Sequence, residues 1–159
     1  MPTIATLCLA LSLLAPLSAR AQAAPGRVCP DPARPCAGFR AHDLSFVLPA
    51  GGAARDEDRS APFYAVVLRS APRCAIGERE RGAAQALFPH GKVFATRWEC
   101  EGDVENNVTY TGVDDRYGFL AVYAGDTRAR ADAVLARVRA TGRFPGANLR
   151  RMQVVRVHP

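Results

Sequence analysis

Lysine, recognisable catalytic motifs and long apolar runs are scarce in this chain of 159 residues. Lys92 is its single lysine, so arginine carries almost all of the positive charge, which persists at every physiological pH. No Cys-x-x-Cys pair occurs, which argues against a thioredoxin-like redox site and against a zinc knuckle. The longest uncharged apolar run, Ile4–Leu17, has about 14 residues, whereas a membrane-spanning helix needs roughly 20. The sequence therefore indicates neither a membrane span nor a redox or zinc site.

Enzyme motifs are missing as well. The sequence contains no Gly-x-Ser-x-Gly, His-Glu-x-x-His or Ser-x-x-Lys motif and no glycine-rich phosphate loop. Its histidines, His42, His90 and His158, are far apart along the chain. Paired carboxylates could come from a loop rich in acidic residues, but solvation there gives no reason for a raised pKa. We therefore expect no catalytic residues, no metal and no cofactor, and an envelope enzyme is the least favoured function.

The residues that are present describe an ordinary folded domain with an export signal. Hydrophobic residues make up 48% of the chain and charged residues 23%, which excludes a collagen-like, coiled-coil or disordered protein. The uncharged run is followed by small residues that end in Ala-x-Ala at Ala23, the pattern of a cleaved secretory signal peptide. We expect residues 1–23 to be removed on export, which leaves a periplasmic or secreted protein with no stable membrane anchor.

Five cysteines become four when the predicted signal peptide, which contains Cys8, is set aside. An even number of cysteines in an exported chain indicates two disulfides, and four cysteines allow three pairings. Among these pairings we favour Cys29 with Cys36 and Cys74 with Cys100.

The exported chain divides into an extended N-terminal segment and one folded domain. Residues 24–61 contain prolines, cysteines, one short strand over 44–48 and a charged linker, whereas residues 62–159 contain two strand–helix–strand units. The predicted strands are Phe63–Leu68, Lys92–Trp98, Tyr117–Tyr123 and Leu149–Val157, and the predicted helices are 78–87 and 128–140. Two such units predict an α+β, ferredoxin-like tandem βαβ fold, with a four-stranded antiparallel sheet and two helices on one face. The first two strands run parallel in that fold, so Cys74 and Cys100, which follow them, meet at one sheet edge.

The second helix has the clearest periodicity. Its apolar residues fall at positions i, i+3, i+4 and i+7 and are Ala131, Val134, Leu135 and Val138. Thr127 is placed to cap the start of this helix, and Gly142 is placed to end it.

Charge is unevenly distributed along the domain. Residues 99–115 contain six acidic residues and no basic one, whereas residues 116–159 contain nine arginines and two aspartates. The acidic insert is expected to be a solvated loop or hairpin arm. One interpretation is that the two regions neutralise each other and are solvated. Another is that Arg150, Arg151 and Arg156 help to form a surface for an anionic polymer, and export favours an envelope polymer over nucleic acid.

Four segments of the domain carry a family resemblance: Tyr64–Ser70, Tyr117–Gly125, the helix over 131–142 and the strand Arg151–Val157. Together they resemble a SPOR domain. The resemblance implies the tandem βαβ fold and, as in many members of that family, binding of peptidoglycan glycan strands that lack stem peptides.

Ligand binding through the sheet would require polar and aromatic strand residues. The candidates are Tyr64, Arg69, Tyr117, Tyr123, Arg151 and Gln153. Tyr64 and Tyr123 could equally be half-buried residues of the sheet. The leading hypothesis is a non-enzymatic module that binds peptidoglycan or another envelope polymer through an open sheet face. The alternative is a secreted protein-interaction or inhibitor module that uses residues 99–115 or an exposed sheet edge.

Overall fold

A computed structural model describes residues 25–31, 39–48, 56–102 and 107–158 of the chain. Within these ranges the chain forms two helices and nine strands, which confirms the predicted α+β class. The strands are β1 Arg27–Val28, β2 Phe46–Val47, β3 Glu57–Arg59, β4 Phe63–Pro72, β5 Val93–Ala95, β6 Val108–Tyr110, β7 Tyr117–Gly125, β8 Asn148–Met152 and β9 Val154–Val157, and the helices are α1 Glu78–Leu87 and α2 Arg128–Ala140. The predicted signal peptide, 1–23, lies outside the described residues. Neither of the two helices is long and apolar enough to cross a membrane.

The predicted four-stranded antiparallel sheet is present. Its strand order is β5-β7-β4-β8, and every pair of neighbours is antiparallel. The long central strands β4 and β7 are rich in β-branched and aromatic residues, which suit a sheet buried on both faces. Both helices have the predicted boundaries, with α1 between β4 and β5 in the sequence and α2 between β7 and β8.

Two smaller sheets accompany this one. β1 pairs with β2, and β3, β9 and β6 form a three-stranded antiparallel sheet in that order. The prediction of a single last strand over 149–157 is wrong, because the strand is interrupted at Gln153 and β9 joins the three-stranded sheet. Gln153 makes two hydrogen bonds of 2.8 Å at this interruption: its backbone N–H donates to the Thr111 hydroxyl, and its side-chain amide donates to the Ser60 carbonyl.

The described part of the acidic insert, which was expected to be a solvated loop or hairpin arm, includes a strand. Strand β6 lies within residues 99–115, and its Val108 and Tyr110 are buried because alternate residues of a strand point to the same side. Residues 103–106 lie outside the described ranges. The insert therefore contributes to the core as well as to the surface.

One hydrophobic cluster, here called the helix-side cluster, joins the sheet to both helices. Its members include Val66, Leu68, Val93, Leu120 and Val122 of the sheet and Ala84, Ala131 and Val138 of the helices. Val134 and Leu135 pack against it, which confirms the predicted apolar face of α2. The predicted cap is also confirmed, since the Thr127 hydroxyl accepts a hydrogen bond of 3.4 Å from the Arg130 backbone N–H.

A second hydrophobic cluster, here called the covering cluster, contains the alternate residues of the same strands. Its members include Phe63, Ala65, Phe94, Phe119 and Ala121 of the sheet, Val28, Leu44 and Phe46 of the N-terminal segment, and Val108, Tyr110 and Val154 of the three-stranded sheet. The Tyr110 hydroxyl accepts a hydrogen bond of 2.9 Å from the Leu44 backbone N–H. The expectation of an open sheet face needs correction, because the N-terminal segment and the three-stranded sheet bury side chains against it.

The predicted disulfide between Cys74 and Cys100 is present, with the two Cα atoms 5.4 Å apart. It links the chain just after β4 to the start of the segment that leads to β6. Cys29 is also disulfide-bonded. Its predicted partner, Cys36, lies outside the described residues.

Candidate ligand cleft at the accessible end of the sheet

A cleft of about 380 Å³ lies at the end of the sheet, beside the covering cluster. Its walls come from β4, β7, β8 and the loop 112–114 that follows β6. The residues that line it include Val67, Ser70, Asp114, Tyr117, Asn148 and Arg150. A concave site that combines apolar, aromatic, polar and charged groups is the usual form of a small-ligand site. We call it the Tyr117 cleft.

Strand register explains why these residues share the cleft. Asn148 on β8 lies opposite Val67 on β4. Strand alternation then places Arg150, two residues further along, on the same face as Asn148. A β-bulge immediately after Val67 shifts the alternation of β4, so Val67 and Ser70 both line the cleft although they are three positions apart.

Tyr117 lines the cleft and is 49% exposed. The guanidinium of Arg116 lies over the Tyr117 ring, 5.9 Å from its centroid. Arg116 is held there by Asp114, to which its Nε and Nη2 atoms donate hydrogen bonds of 3.0 and 2.6 Å. These side-chain bonds, with a further bond from the Arg116 backbone N–H, lower the pKa of Asp114 to about 2. Asp114 is therefore a fixed anion that accepts hydrogen bonds, and it is poorly suited to act as a general acid.

Arg150 brings an available cation to the same cleft. The residue is exposed, and within the described ranges no hydrogen bond or ion pair engages its guanidinium. A free guanidinium offers several donors in a planar fork that matches carboxylate and paired hydroxyl oxygens. Asn148 is oriented by a hydrogen bond of 3.1 Å from its side-chain amide to the Gly146 carbonyl. The cleft can therefore bind a polar ligand by ring stacking and by hydrogen bonding.

Three of the six residues predicted to bind ligand, Tyr64, Arg69 and Arg151, do not line the Tyr117 cleft. Tyr64 packs against the helix-side cluster and pairs across strands with Arg151. Arg69 forms an ion pair of 2.6 Å with Glu80 of α1. Among the six, Tyr117 alone lines the cleft named after it.

The other two predicted residues hold the fold together. Tyr123 packs against the covering cluster with its ring 5.6 Å from that of Phe63, and burial raises the pKa of its hydroxyl. Gln153 lies between β8 and β9 and is held by hydrogen bonds to Thr111 and Ser60. The structure thus does not gather the six residues on one surface.

Sequence reasoning missed Ser70, Asp114 and Asn148, and it grouped Arg150 with two other arginines. Adjacent residues of a strand face opposite ways, so Arg150 and Arg151 could not share a face once the strand was known. The guanidinium of Arg156 lies over the ring of Phe39, 5.4 Å from its centroid. The alternation of side chains along the predicted last strand was the signal that could have separated Arg150 from Arg151.

Comparisons of the chain with protein-family models, with curated proteins and with solved structures found nothing that matches it. In the part of the chain that the structure describes, no group of three or more His, Cys, Asp or Glu side chains could hold a metal ion. Interpretation of the function therefore depends on the chemistry and geometry of the cleft.

Proposed function

We propose that the protein is an exported, non-enzymatic module that binds glycan strands of the cell envelope in the Tyr117 cleft. The observation that carries this proposal is the exposed Tyr117 ring, which shares one concavity with the free guanidinium of Arg150 and the fixed carboxylate of Asp114. Aromatic faces stack on sugar rings, carboxylates accept hydrogen bonds from hydroxyls, and arginine binds carboxylates in a bidentate manner.

Peptidoglycan is the envelope polymer that we favour. Its muramic acid sugars carry a carboxylate wherever the stem peptide has been removed, and Arg150 is the group in the cleft that would bind it. The disulfide between Cys74 and Cys100 and the predicted signal peptide support a periplasmic or secreted location, where this polymer is available.

We further propose that residues 62–159 form a SPOR-like, ferredoxin-like domain with both helices on one face of the sheet. The strand order β5-β7-β4-β8 supports this proposal, because each helix then connects one central strand to one edge strand. The buried residues of both helices also belong to the same helix-side cluster.

A protein-interaction or inhibitor module is the second candidate. Its proposed surface, the acidic insert, is partly neutralised by the protein itself. Glu99 accepts a hydrogen bond of 3.0 Å from Arg73, and Asp114 is bound by Arg116. Charges that are already paired attract a basic partner less strongly, so glycan binding is favoured. An enzyme ranks third, because the low pKa of Asp114 suits neither a general acid nor a base poised near neutral pH.

Co-sedimentation with peptidoglycan sacculi tests the proposal. We expect the purified protein to sediment with sacculi that an amidase has stripped of stem peptides, and to be recovered less well with untreated sacculi. Tyr117→Ala and Arg150→Gln should each weaken binding by roughly five- to tenfold, since each removes one stacking or charged contact.

Arg151→Gln is the matched control, because it makes the same charge change one residue away on the opposite face of β8. This variant should bind as the unmodified protein does. Equal recovery without sacculi, or an equal loss in Arg150→Gln and Arg151→Gln, would reject the proposed site.

A further inference from the structure

A second cleft, of about 500 Å³, lies beside β7 and is lined by residues of both helices. It shares no lining residue with the Tyr117 cleft. Its apolar lining includes Val122 and Ala124 of β7, Leu87 and Phe88 at the end of α1, and Ala133 and Val134 of α2. Its volume falls in the range of about 300–1,000 Å³ that is typical of small-ligand pockets.

The cleft lies where β7 extends past its neighbour β5. The last β5–β7 pair is Val93 with Val122, and one further hydrogen bond of 2.9 Å runs from the Tyr123 backbone N–H to the Lys92 carbonyl, while β7 continues to Gly125. Gly91 precedes β5 at this point, and a Cβ atom there would lie 3.1 Å from the Val122 side chain. The absence of a side chain at Gly91 therefore keeps the apolar floor accessible. Leu87 is 36% exposed at the rim, which leaves apolar surface without a cover in the described part of the chain.

Two arginines of α2 line the same cleft. Arg130 and Arg137 are seven residues apart, which is about 10 Å along a helix, and both face the cleft. The stem of Arg130 lies against Gly125, where a Cβ atom would be 3.2 Å from it. Arg130 has a weak, exposed ion pair of 3.7 Å with Asp126, and no ion pair of Arg137 is found among the described residues. The described lining contains no carboxylate, so the cleft is apolar at its floor and cationic at its rim.

We infer that this cleft binds a single-chain anionic amphiphile, which is an alkyl or acyl chain that ends in one phosphate or carboxylate. The chain lies on the apolar floor beside Val122 and Val134, and the anionic head is bound by Arg130 and Arg137. Apolar burial supplies a non-directional attraction, and the two guanidinium groups select the negative head. This site is independent of the glycan proposal, because it uses other residues and another ligand class.

Titration of the purified protein with dodecyl phosphate and with dodecanoate, below their critical micelle concentrations, tests the inference by calorimetry. We expect saturable 1:1 binding of both anions and at least tenfold weaker binding of dodecanol, a difference of about 1.4 kcal/mol. Inorganic phosphate alone should not bind measurably, since it lacks the chain. Equal affinity for dodecanol would overturn the role of the arginines, and non-saturable uptake of all three amphiphiles would overturn the site.

Variants of α2 locate the binding. Arg130→Gln with Arg137→Gln should weaken dodecyl phosphate about tenfold and leave dodecanol unchanged, whereas Arg128→Gln with Arg139→Gln, a matched pair outside the cleft, should have little effect. Ala133 is exposed and lines the cleft, so Ala133→Trp should place an indole ring in it. This variant should abolish amphiphile binding, while its thermal unfolding should show that the protein is folded. Equal losses in the two double variants would contradict the inference. So would sedimentation with phosphatidylglycerol vesicles without any binding of the monomeric amphiphiles.

Discussion

The two hydrophobic clusters that contain the strands of the four-stranded sheet are assembled in different ways. The helix-side cluster joins sheet residues to α1 and α2, which directly follow β4 and β7 in the sequence, and the α2 residues involved recur at helical spacing. The covering cluster joins sheet residues to short strands drawn from distant parts of the chain, such as β2, β6 and β9. The first cluster is built from segments that are neighbours in the sequence, and the second is not. The comparison shows that a face that looks open in the sequence can be closed by segments that resemble linkers.

The largest expected effect is a loss of folding stability, and it tests whether the covering cluster is part of the hydrophobic core. Phe46 of β2 is 1% exposed, so Phe46→Ala should lower the free energy of unfolding by about 3–5 kcal/mol. Val154→Ala and Val138→Ala form a matched pair, one in each hydrophobic cluster and both fully buried, and each should cost about 2 kcal/mol. Urea unfolding measures all three. A loss of less than 1 kcal/mol in the free energy of unfolding for both Phe46→Ala and Val154→Ala would show that the covering cluster packs only loosely.

The disulfide should have the next largest effect, because it ties the sheet to the segment that supplies β6. Replacing Cys74 and Cys100 by serine should lower the free energy of unfolding by about 3 kcal/mol, since the bond closes a loop with a sequence separation of 26. Amide exchange should accelerate more at Leu44, in the covering layer, than at Val138 in α2. Equal acceleration of amide exchange at both positions would contradict this link between the disulfide and the covering cluster.

Gly26 tests the packing of the N-terminal segment at a single contact. A Cβ atom on Gly26 would meet the Val47 carbonyl and the Phe46 ring, so Gly26→Ala should force the N-terminal segment away from the sheet. We expect a loss of about 2 kcal/mol by thermal or urea unfolding. Gly146→Ala is the control, since an added Cβ there meets nothing within 4 Å. Similar stability of the two variants would show that the segment can shift without cost.

Tyr110→Phe should have the smallest effect on stability, and it should also change how stability depends on pH. Tyr110→Phe removes the acceptor of the Leu44 backbone N–H and should cost about 1 kcal/mol near neutral pH. Burial raises the pKa of the Tyr110 hydroxyl well above its usual value of 10.0. The unfolded chain therefore loses this proton first, and the stability provided by the neutral hydroxyl declines as the pH rises above about 10.

The fall in stability above pH 10 should be shallower in Tyr110→Phe than in the unmodified protein. Tyr123, whose pKa is also raised by burial, should account for part of the slope that remains. Urea unfolding at several alkaline pH values measures both slopes. Identical slopes would show that Tyr110 is not protected from ionisation in the folded state.

The helix-bearing half of the fold could be predicted because its signals are local. Ala131 and Val138 recur at helical spacing, Thr127 caps α2, and the apolar runs of β4 and β7 mark the sheet. The position of Cys100 relative to Cys74 then followed from the direction of the strands. In each case the residues that decide the structure lie within one or two elements of each other.

The other half could not be predicted for the opposite reason. β6 has three residues and β9 has four, and each is stabilised by partners far away in the sequence, as when Ser60 binds the chain near Val154. The Tyr117 cleft could not be predicted because a β-bulge in β4, and the alternation of side chains along β8, decide which residues line it. Arg150 and Arg151 are equivalent in composition, and the strand register alone distinguishes them.

Chemical-shift mapping with a short peptidoglycan glycan that lacks stem peptides would locate the proposed ligand directly on the protein. Our account predicts that the shifts saturate and concentrate at Tyr117, Asn148 and Arg150, with little change along α1 and α2. Shifts centred on the helices, or no saturable change at millimolar glycan, would contradict glycan binding in the Tyr117 cleft.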